Sequence, residues 1–473
     1  MGLNGDIPHL LAKGDSPRAM GTVLIVALSG FLMGFDGSLF TGAVVFVKKH
    51  FELSTFQVGW TNASQVVSAT IAIFLAGPLA DRVGRRTVLR GAAMLFAIAA
   101  VVSALAQGMV ALIVGRLIGG LGIGAVLVAG PMYIAEIAPP ALRGRMVTYQ
   151  QLFIVIGIAL AFVSNYLIVH VENFGFDWIT TLHLADWNWR WMVGIGAVPA
   201  VIYLFALLWI PESPRWLAMH ERLDAARRVL VRAHGAELAE AELEELRASL
   251  AREKSPHEAR LRDLLAPELR AVLVVGVIVA IFQQITGISS VLAYANVIFE
   301  RAGAAGDASF MQTVYVGLVN LVFTVLAMLL IDRVGRRPLL LFGLAGMGVS
   351  LALAAYGFSR AGETQSALVL AGLLGFVASF ATSIGPVMWV LLSEIFPNRV
   401  RALAISCVGL VNSTICFLTQ LLFPWQMERF GGAVTFAMYG VFALLGLLLL
   451  AKVLPETRGR SLEELEESLV RHH

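Results

Sequence analysis

Apolar positions in this chain come in long blocks, with neither the strict alternation of strands nor a single amphipathic stripe. Twelve blocks stand out, near 19–46, 57–80, 88–107, 109–132, 146–169, 190–210, 269–298, 310–331, 338–358, 364–392, 401–424 and 431–453. A helix rises 1.5 Å per residue, so about 20 apolar residues cross a hydrocarbon core of about 30 Å. The pattern therefore predicts an all-α membrane protein with twelve transmembrane helices. Between the sixth and seventh blocks, 212–268 is charged, and Ala236–Leu250 is a run of good helix formers. The expected organisation is an N-tail over 1–18, a six-helix half over 19–210, linker helices over 211–268, a second half over 269–454 and a C-tail over 455–473. Residues 1–18 lack an apolar core, so no cleaved signal peptide is expected.

Composition agrees with this reading. AVILMFWYC make up 58% of the 473 residues and charged residues 14%, with a mean hydropathy of +0.79. Soluble chains carry about 25% charged residues. A soluble enzyme, a disordered chain and a nucleic-acid binder are excluded. The net charge of +3 is too small to point to a polyanionic partner. Placement of charge says more. Of the 35 Lys and Arg, Lys48, Lys49, Arg190, Arg301, Arg360 and Arg429 fall on one side and Arg116 within a span, while the rest fall on the other side. The positive-inside tendency then places both termini and the linker in the cytoplasm. The two cysteines, Cys407 and Cys416, share one apolar run, which excludes a disulfide scaffold and a thiolate metal site.

The chain also repeats itself. Asp81-Arg-Val-Gly-Arg-Arg86 recurs as Asp332 to Arg337, offset by 251 residues. Glu136 and Arg143 are answered by Glu394 and Arg401, both at 258, and Pro211-Glu-Ser213 by Pro455-Glu-Thr457 at 244. Three features at nearly one offset indicate duplicated six-span halves, an arrangement that places a substrate site between them near the midplane.

Only Asp36 and Arg116 fall deep within the spans. An isolated charge there costs at least about 2.5–3.5 kcal/mol on insertion scales. Counted from their entry points, Asp36 is roughly 25 Å in from one side and Arg116 roughly 10 Å in from the other, so they reach similar depth and are expected to pair. One reading is a protonatable switch, in which separation from Arg116 favours proton uptake by Asp36. The other is a static ion pair that fixes helix register.

Neutral polar residues gather in the second half. Gln283, Thr286 and Ser290 share a helical face of the seventh span, with Gln284 and Ser289 beside them and Gly287 as a point of breakage. The fifth span offers Gln150, Gln151 and Asn165. The tenth carries Gly385-Pro386, expected to kink it, and then Trp389; the eleventh carries Asn412, Ser413 and Thr414. Amides both donate and accept, and indole offers a flat apolar face. That suits a neutral polyol such as a sugar, with hydroxyls around apolar C–H faces. The glycosylation patterns at Asn62 and Asn412 lie in spans and are expected to be unmodified. Histidines are too scattered for a metal site. No phosphate loop or ATP-binding domain is present, so any energy comes from a gradient.

Taken in order, the motifs resemble the sugar porter family of the major facilitator superfamily, and the pattern is most similar to its bacterial sugar–proton symporters. They are Gly34-Phe-Asp36, Asp81–Arg86, Arg116-Leu-Ile-Gly-Gly, Pro131-Met-Tyr-Ile-Ala-Glu136, Arg143-Gly-Arg145, Trp189-Arg-Trp-Met192, Pro211-Glu-Ser-Pro-Arg-Trp-Leu217, Gln283-Gln284, Asp332–Arg337, Ser393-Glu-Ile-Phe-Pro397 and Pro455-Glu-Thr-Arg-Gly459. The resemblance implies proton-coupled monosaccharide symport by alternating access. A passive facilitator on the same fold is the alternative, commonly with Asn where Asp36 stands. A sugar receptor that does not transport is expected to carry a longer tail than 455–473.

The resemblance further implies proton coupling at Asp36 and Arg116, and sugar contact at Gln151, Gln283, Gln284 and Trp389. Ser289 stands where relatives usually have Asn, and Asn412 where xylose symporters have Gln. Ala293 replaces the first of two gating tyrosines and leaves Tyr294, with Gly385 and Pro386 as further gating positions. A charge network of Arg85, Glu136, Arg143, Glu212 and Arg215, with Arg336, Glu394, Arg401, Glu456 and Arg458 in the second half, is implied to latch the outward-facing state at the cytoplasmic side. No resident cofactor is expected. The expected partners are a monosaccharide or polyol, the proton as coupling ion and the bilayer of the cell membrane, without nucleic acid, and the chain is expected to work as a monomer.

Overall fold

In a computed structural model the protein is described at residues 17–139, 142–171, 183–184, 186–253, 261–264, 266–304, 306–360, 362–397 and 400–454. The first six spans are α1 (Pro17–His50), α2 (Thr55–Val83), α3 (Arg85–Ala104), α4 (Met109–Ile137), α5 (Arg143–Val169) and the pair α6 (Asn188–Gly194) and α7 (Ala197–Ala206). Four shorter helices follow: α8 (Pro214–Met219), α9 (Leu223–His234), α10 (Ala236–Glu253) and α11 (Leu261–Leu264). The seventh span is broken into α12 (Pro267–Ile285), α13 (Ile288–Ala293) and α14 (Ala295–Arg301). Then come α15 (Gly306–Val334), α16 (Arg336–Phe358), the broken pair α17 (Glu363–Thr382) and α18 (Ile384–Ile395), α19 (Arg401–Arg429) and α20 (Gly431–Val453). Twelve stretches among the described residues are long and apolar enough to cross a membrane. The chain is a multi-pass, all-helical membrane protein.

Both interrupted spans have local causes. Gly287 sits at φ +90°, a left-handed conformation that a side chain resists, and a Cβ there would lie 2.4 Å from the ring of Tyr439. In the tenth span the break falls at Ser383, slightly before the expected Gly385-Pro386. Pro386 has no N–H to offer the carbonyl one turn back, so the ladder fails ahead of the proline.

The duplication is built into the hydrogen bonds. Arg85 donates to Ala80 O at 3.0 Å and Arg336 to Ile331 O at 3.2 Å, 251 residues on. Arg86 Nε donates to Leu207 O at 3.0 Å, at the end of the sixth span, and Arg337 to Ala451 O at 2.8 Å, at the end of the twelfth. Gly84 and Gly335 share a positive φ, +95° and +98°. A Cβ on Gly84 would lie 2.4 Å from the Glu212 carboxylate.

Short connections make the spans alternate in direction, so the linker helices and the Arg-rich turns share one end of the bundle. The two halves meet at the opposite end. A Cβ on Gly59 of α2 would lie 2.2 Å from Leu421 O of α19, and one on Gly317 of α15 would lie 2.8 Å from Phe162 of α5. Thr41 donates to Leu292 O at 3.1 Å, Thr55 to the Glu428 carboxylate, and Trp60 packs edge-on against Phe417. Tyr294 is buried behind this seal, stacked on Phe423, with its hydroxyl donating to Gln420 O at 3.1 Å.

Candidate functional site

The break after α12 brings two consecutive glutamines against the break before α18. Gln283 Nε2 donates to Ile384 O and Gly385 O, both at 3.3 Å. Gln283 Oε1 accepts from Asn412 Nδ2 at 2.6 Å, which ties in α19. Gln284 Nε2 donates to Asn412 Oδ1 at 3.3 Å, and Gln284 Oε1 accepts from Ser289 at 2.5 Å. Trp389 stands one turn beyond Gly385 on the same face of α18 and is 43% exposed. Of the expected substrate residues, Gln283, Gln284, Ser289 and Asn412 therefore form one cluster, and Trp389 lies beside it. Gln151 is half-buried on α5, and no hydrogen bond among the described residues draws it into the cluster. Its neighbour Gln150 is a packing residue: its Nε2 donates to Val126 O at 3.1 Å, and a Cβ on Gly130 would meet its amide at 2.8 Å.

Asp36 and Arg116 line one cavity of about 20 Å³, together with Gln65 and Ser103. That is room for a single water. The expected direct ion pair is absent among the described residues. Asp36 Oδ2 instead accepts from Gln65 Nε2 at 2.6 Å. Arg116 donates to Asn62 Oδ1 at 3.1 Å and lies 4.7 Å over the Phe40 ring. The cause is the approach of α2, made possible because Gly119 and Gly120 of α4 leave it space: a Cβ on Gly120 would lie 2.2 Å from Gln65 O. Two amides of α2 thereby take the charges from each other. Arg116 Nε remains buried with no hydrogen-bond partner among the described residues.

Residues 22–469 match the family model described as "Sugar (and other) transporter". The chain belongs to the sugar transporter family. This transporter is 38% identical over 455 residues to the arabinose-proton symporter of Bacillus subtilis, covering 95% of this chain and 96% of that one. It is 34% identical over 486 residues to the D-xylose-proton symporter of Escherichia coli K12, covering 96% of each. Its backbone superposes on the inward-open conformation of the E. coli xylose transporter XylE with a TM-score of 0.80, at 32% identity and with 94% and 98% of the chains covered. Against the same protein bound to 6-bromo-6-deoxy-D-glucose the TM-score is 0.76, at 33% identity and 96% and 100% coverage.

At the linker end of the transporter, Glu136 pairs with Arg85 at 3.0 Å and Glu394 with Arg336 at 2.7 Å. Both ion pairs stay within one half. Arg85 also pairs with Asp81 at 2.8 Å, and Ser213 donates to Glu136. Glu212 accepts the backbone N–H of Arg86 at 3.1 Å, and Arg215 lies near enough to Glu136 to act on its charge. Arg143 is exposed at the start of α5, and Arg401 donates to Phe396 O at 3.0 Å. The duplicated Glu/Arg spacing therefore does not describe pairing here: each glutamate takes the arginine of the Gly-Arg-Arg turn. Glu456 and Arg458 lie outside the described residues.

Sequence reasoning missed Gln65 of α2, and Asn62 was read only as a glycosylation pattern. Their signal is available in hindsight: two amides three residues apart put both on one face of the second span. Cys416 and Gln420, which touch the central cluster from α19, carried no signal beyond their presence in a span.

Proposed function

We propose that the transporter is a proton-coupled monosaccharide symporter working by alternating access. The observation that carries this reading is the Asp36–Arg116 cavity: two opposite charges share it, yet amides of α2 hold them apart and Arg116 Nε is unpartnered. A buried pair that is static gains by direct contact. A pair that takes turns needs alternative partners, and Gln65 and Asn62 supply them. In the proposed cycle Asp36 pairs with Arg116 in one state, and in the other it carries a proton while Gln65 holds it. The names of the arabinose and xylose relatives support proton coupling and a monosaccharide substrate.

The sugar site in this reading is the amide cluster of Gln283, Gln284, Ser289 and Asn412, with Trp389 as an apolar platform and Gln151 facing it from the first half. Tyr294 and the break before Gly385-Pro386 are the moving parts. The linker end is cytoplasmic in this reading, which the Lys/Arg distribution supports, and so are both termini. The seal of Gly59, Thr41 and Tyr294 then closes the outer side, and the state is inward-facing. Two six-helix halves joined by linker helices, working as a monomer in the cell membrane, complete the proposal.

The decisive experiment uses purified protein in vesicles with an imposed inside-alkaline pH gradient. Labelled xylose or arabinose should accumulate inside above the external concentration, and a protonophore should collapse the accumulation. Uptake that only equilibrates, with or without the protonophore, would identify a passive facilitator.

A further inference from the structure

Every amide of the central cluster is held by another group, and the chain of hydrogen bonds can be followed back to its start. Gln420 Nε2 donates to Cys416 Sγ at 3.4 Å, and Cys416 donates in turn to Ser289 Oγ at 3.4 Å. Ser289 donates to Gln284 Oε1 at 2.5 Å. The direction of this chain is fixed. A serine hydroxyl has one O–H, and that of Ser289 goes to the Gln284 carbonyl, so the thiol must be the donor in its contact with Ser289. Gln420 also ties the chain to the outer seal, because its backbone carbonyl accepts from Tyr294. The Gln284 amide is oriented from its other side: Gln283 Nε2 donates to Ile384 O and Gly385 O and Asn412 Nδ2 to Ala280 O, so Asn412 Oδ1 and Gln283 Oε1 accept from Gln284 Nε2 and its Oε1 is left to Ser289.

We propose that Cys416 is a positioning residue for sugar selectivity: its thiol holds the Ser289 hydroxyl against the Gln284 carbonyl, in the one orientation the substrate meets. The inference rests on the central cluster being the sugar site, as proposed above. The side chain at 289 is short, and Cys416 backs it from α19 at the height of the site. Without the thiol, Ser289 is free to turn away, and the Gln284 carbonyl loses the donor held against it. The site then binds less tightly and discriminates less between sugars that differ in one hydroxyl.

The test compares Cys416→Ala, Cys416→Val and Cys416→Ser in purified full-length protein, with affinities for xylose, arabinose and glucose. Alanine and valine remove the donor with and without loss of volume. Both should weaken binding about 2- to 10-fold, the span of one neutral hydrogen bond, and narrow the differences among the three sugars. Serine restores a donor and should recover most of the affinity and the rank order. If alanine and serine fall equally while valine holds, the residue only fills space and the positioning role is wrong. If the wild type binds and Cys416→Ala matches it, that role is likewise wrong while the symport reading stands. A wild type that binds none of the three sugars would overturn the symport reading and this one with it.

Discussion

The first half of the molecule holds the deep charges: Asp36 and Arg116 share a cavity with room for one water. In the second half neutral amides and hydroxyls, Gln283, Gln284, Ser289 and Asn412, are joined to one another. The backbones are repeats of one plan, down to the Gly-Arg-Arg turns that cap equivalent carbonyls. In the proposed mechanism the difference in side chains divides the work. A charge within a span is costly and responds to protons and to the membrane potential. A self-satisfied amide cluster responds to neither and exchanges its partners for hydroxyls. One half is thus suited to sense the gradient and the other to hold a neutral polyol.

The largest expected effect tests that division directly. Asp36→Asn should abolish accumulation against a gradient while counterflow and sugar affinity persist, because the amide cluster is left intact. A potential of 100 mV acting on one charge is worth about 2.3 kcal/mol, roughly a 50-fold accumulation that the variant should lose. Uptake driven by pH and potential in vesicles measures it, and normal accumulation by the variant would break the comparison between the halves.

Next in size is a contrast between the two Gly-Arg-Arg turns. Arg85 is 2% exposed and its partner Glu136 11%, whereas Arg336 and Glu394 are 12% and 30% exposed. Removing one member of a fully buried pair costs about 3–5 kcal/mol, and a pair that water reaches costs less because solvent screens it. Arg85→Ala should therefore lower thermal stability clearly more than Arg336→Ala. Equal losses in a melting experiment would show that the repeat is energetically symmetric after all.

Much of this was legible in the sequence because membranes impose strong patterns. Twelve long apolar blocks, the 251-residue repeat and two stray charges led to the span count, the duplication and the shared depth of Asp36 and Arg116. Element ends were less legible. The seventh apolar block runs over 269–298 without interruption, yet the helix breaks twice within it, at Thr286–Gly287 and at Tyr294, and only the first break has a glycine to mark it. Pairing was the least legible. Spacing put Asp36 near Arg116, but only packing shows that Gln65 and Asn62 reach them first. The same holds for Glu136, whose partner Arg85 is brought in by the turn at Gly84 rather than by the matched Arg143.

On the sugar side, Gln283→Ala should weaken monosaccharide binding about 5- to 150-fold, since an unsatisfied buried partner costs about 1–3 kcal/mol. Gln283 joins α12, α18 and α19 through the Gly385 carbonyl and Asn412, so its loss reaches the whole cluster. Proton-driven conformational change should survive, followed by distances across the linker end as pH is varied. Loss of both together would merge the two halves' roles into one site.

The smallest effect concerns the linker end in the state described. Arg143 is exposed, and the ion pairs found there stay within one half. Arg143→Ala should therefore leave the stability within the range of an ordinary surface substitution, about ±0.5 kcal/mol, as a melting experiment checks. The latch implied for the outward-facing state needs the halves closed at this end, where Arg143 and Arg401 start α5 and α19 at matched positions. Spin-label distances across the linker end separate the two possibilities. A shift toward the open distance in Arg143→Ala and Arg401→Ala, with stability unchanged, means these arginines act only when the halves close. An unchanged distribution in both variants leaves them as solvated charges and confines the duplicated electrostatics to the Arg85–Glu136 and Arg336–Glu394 pairs.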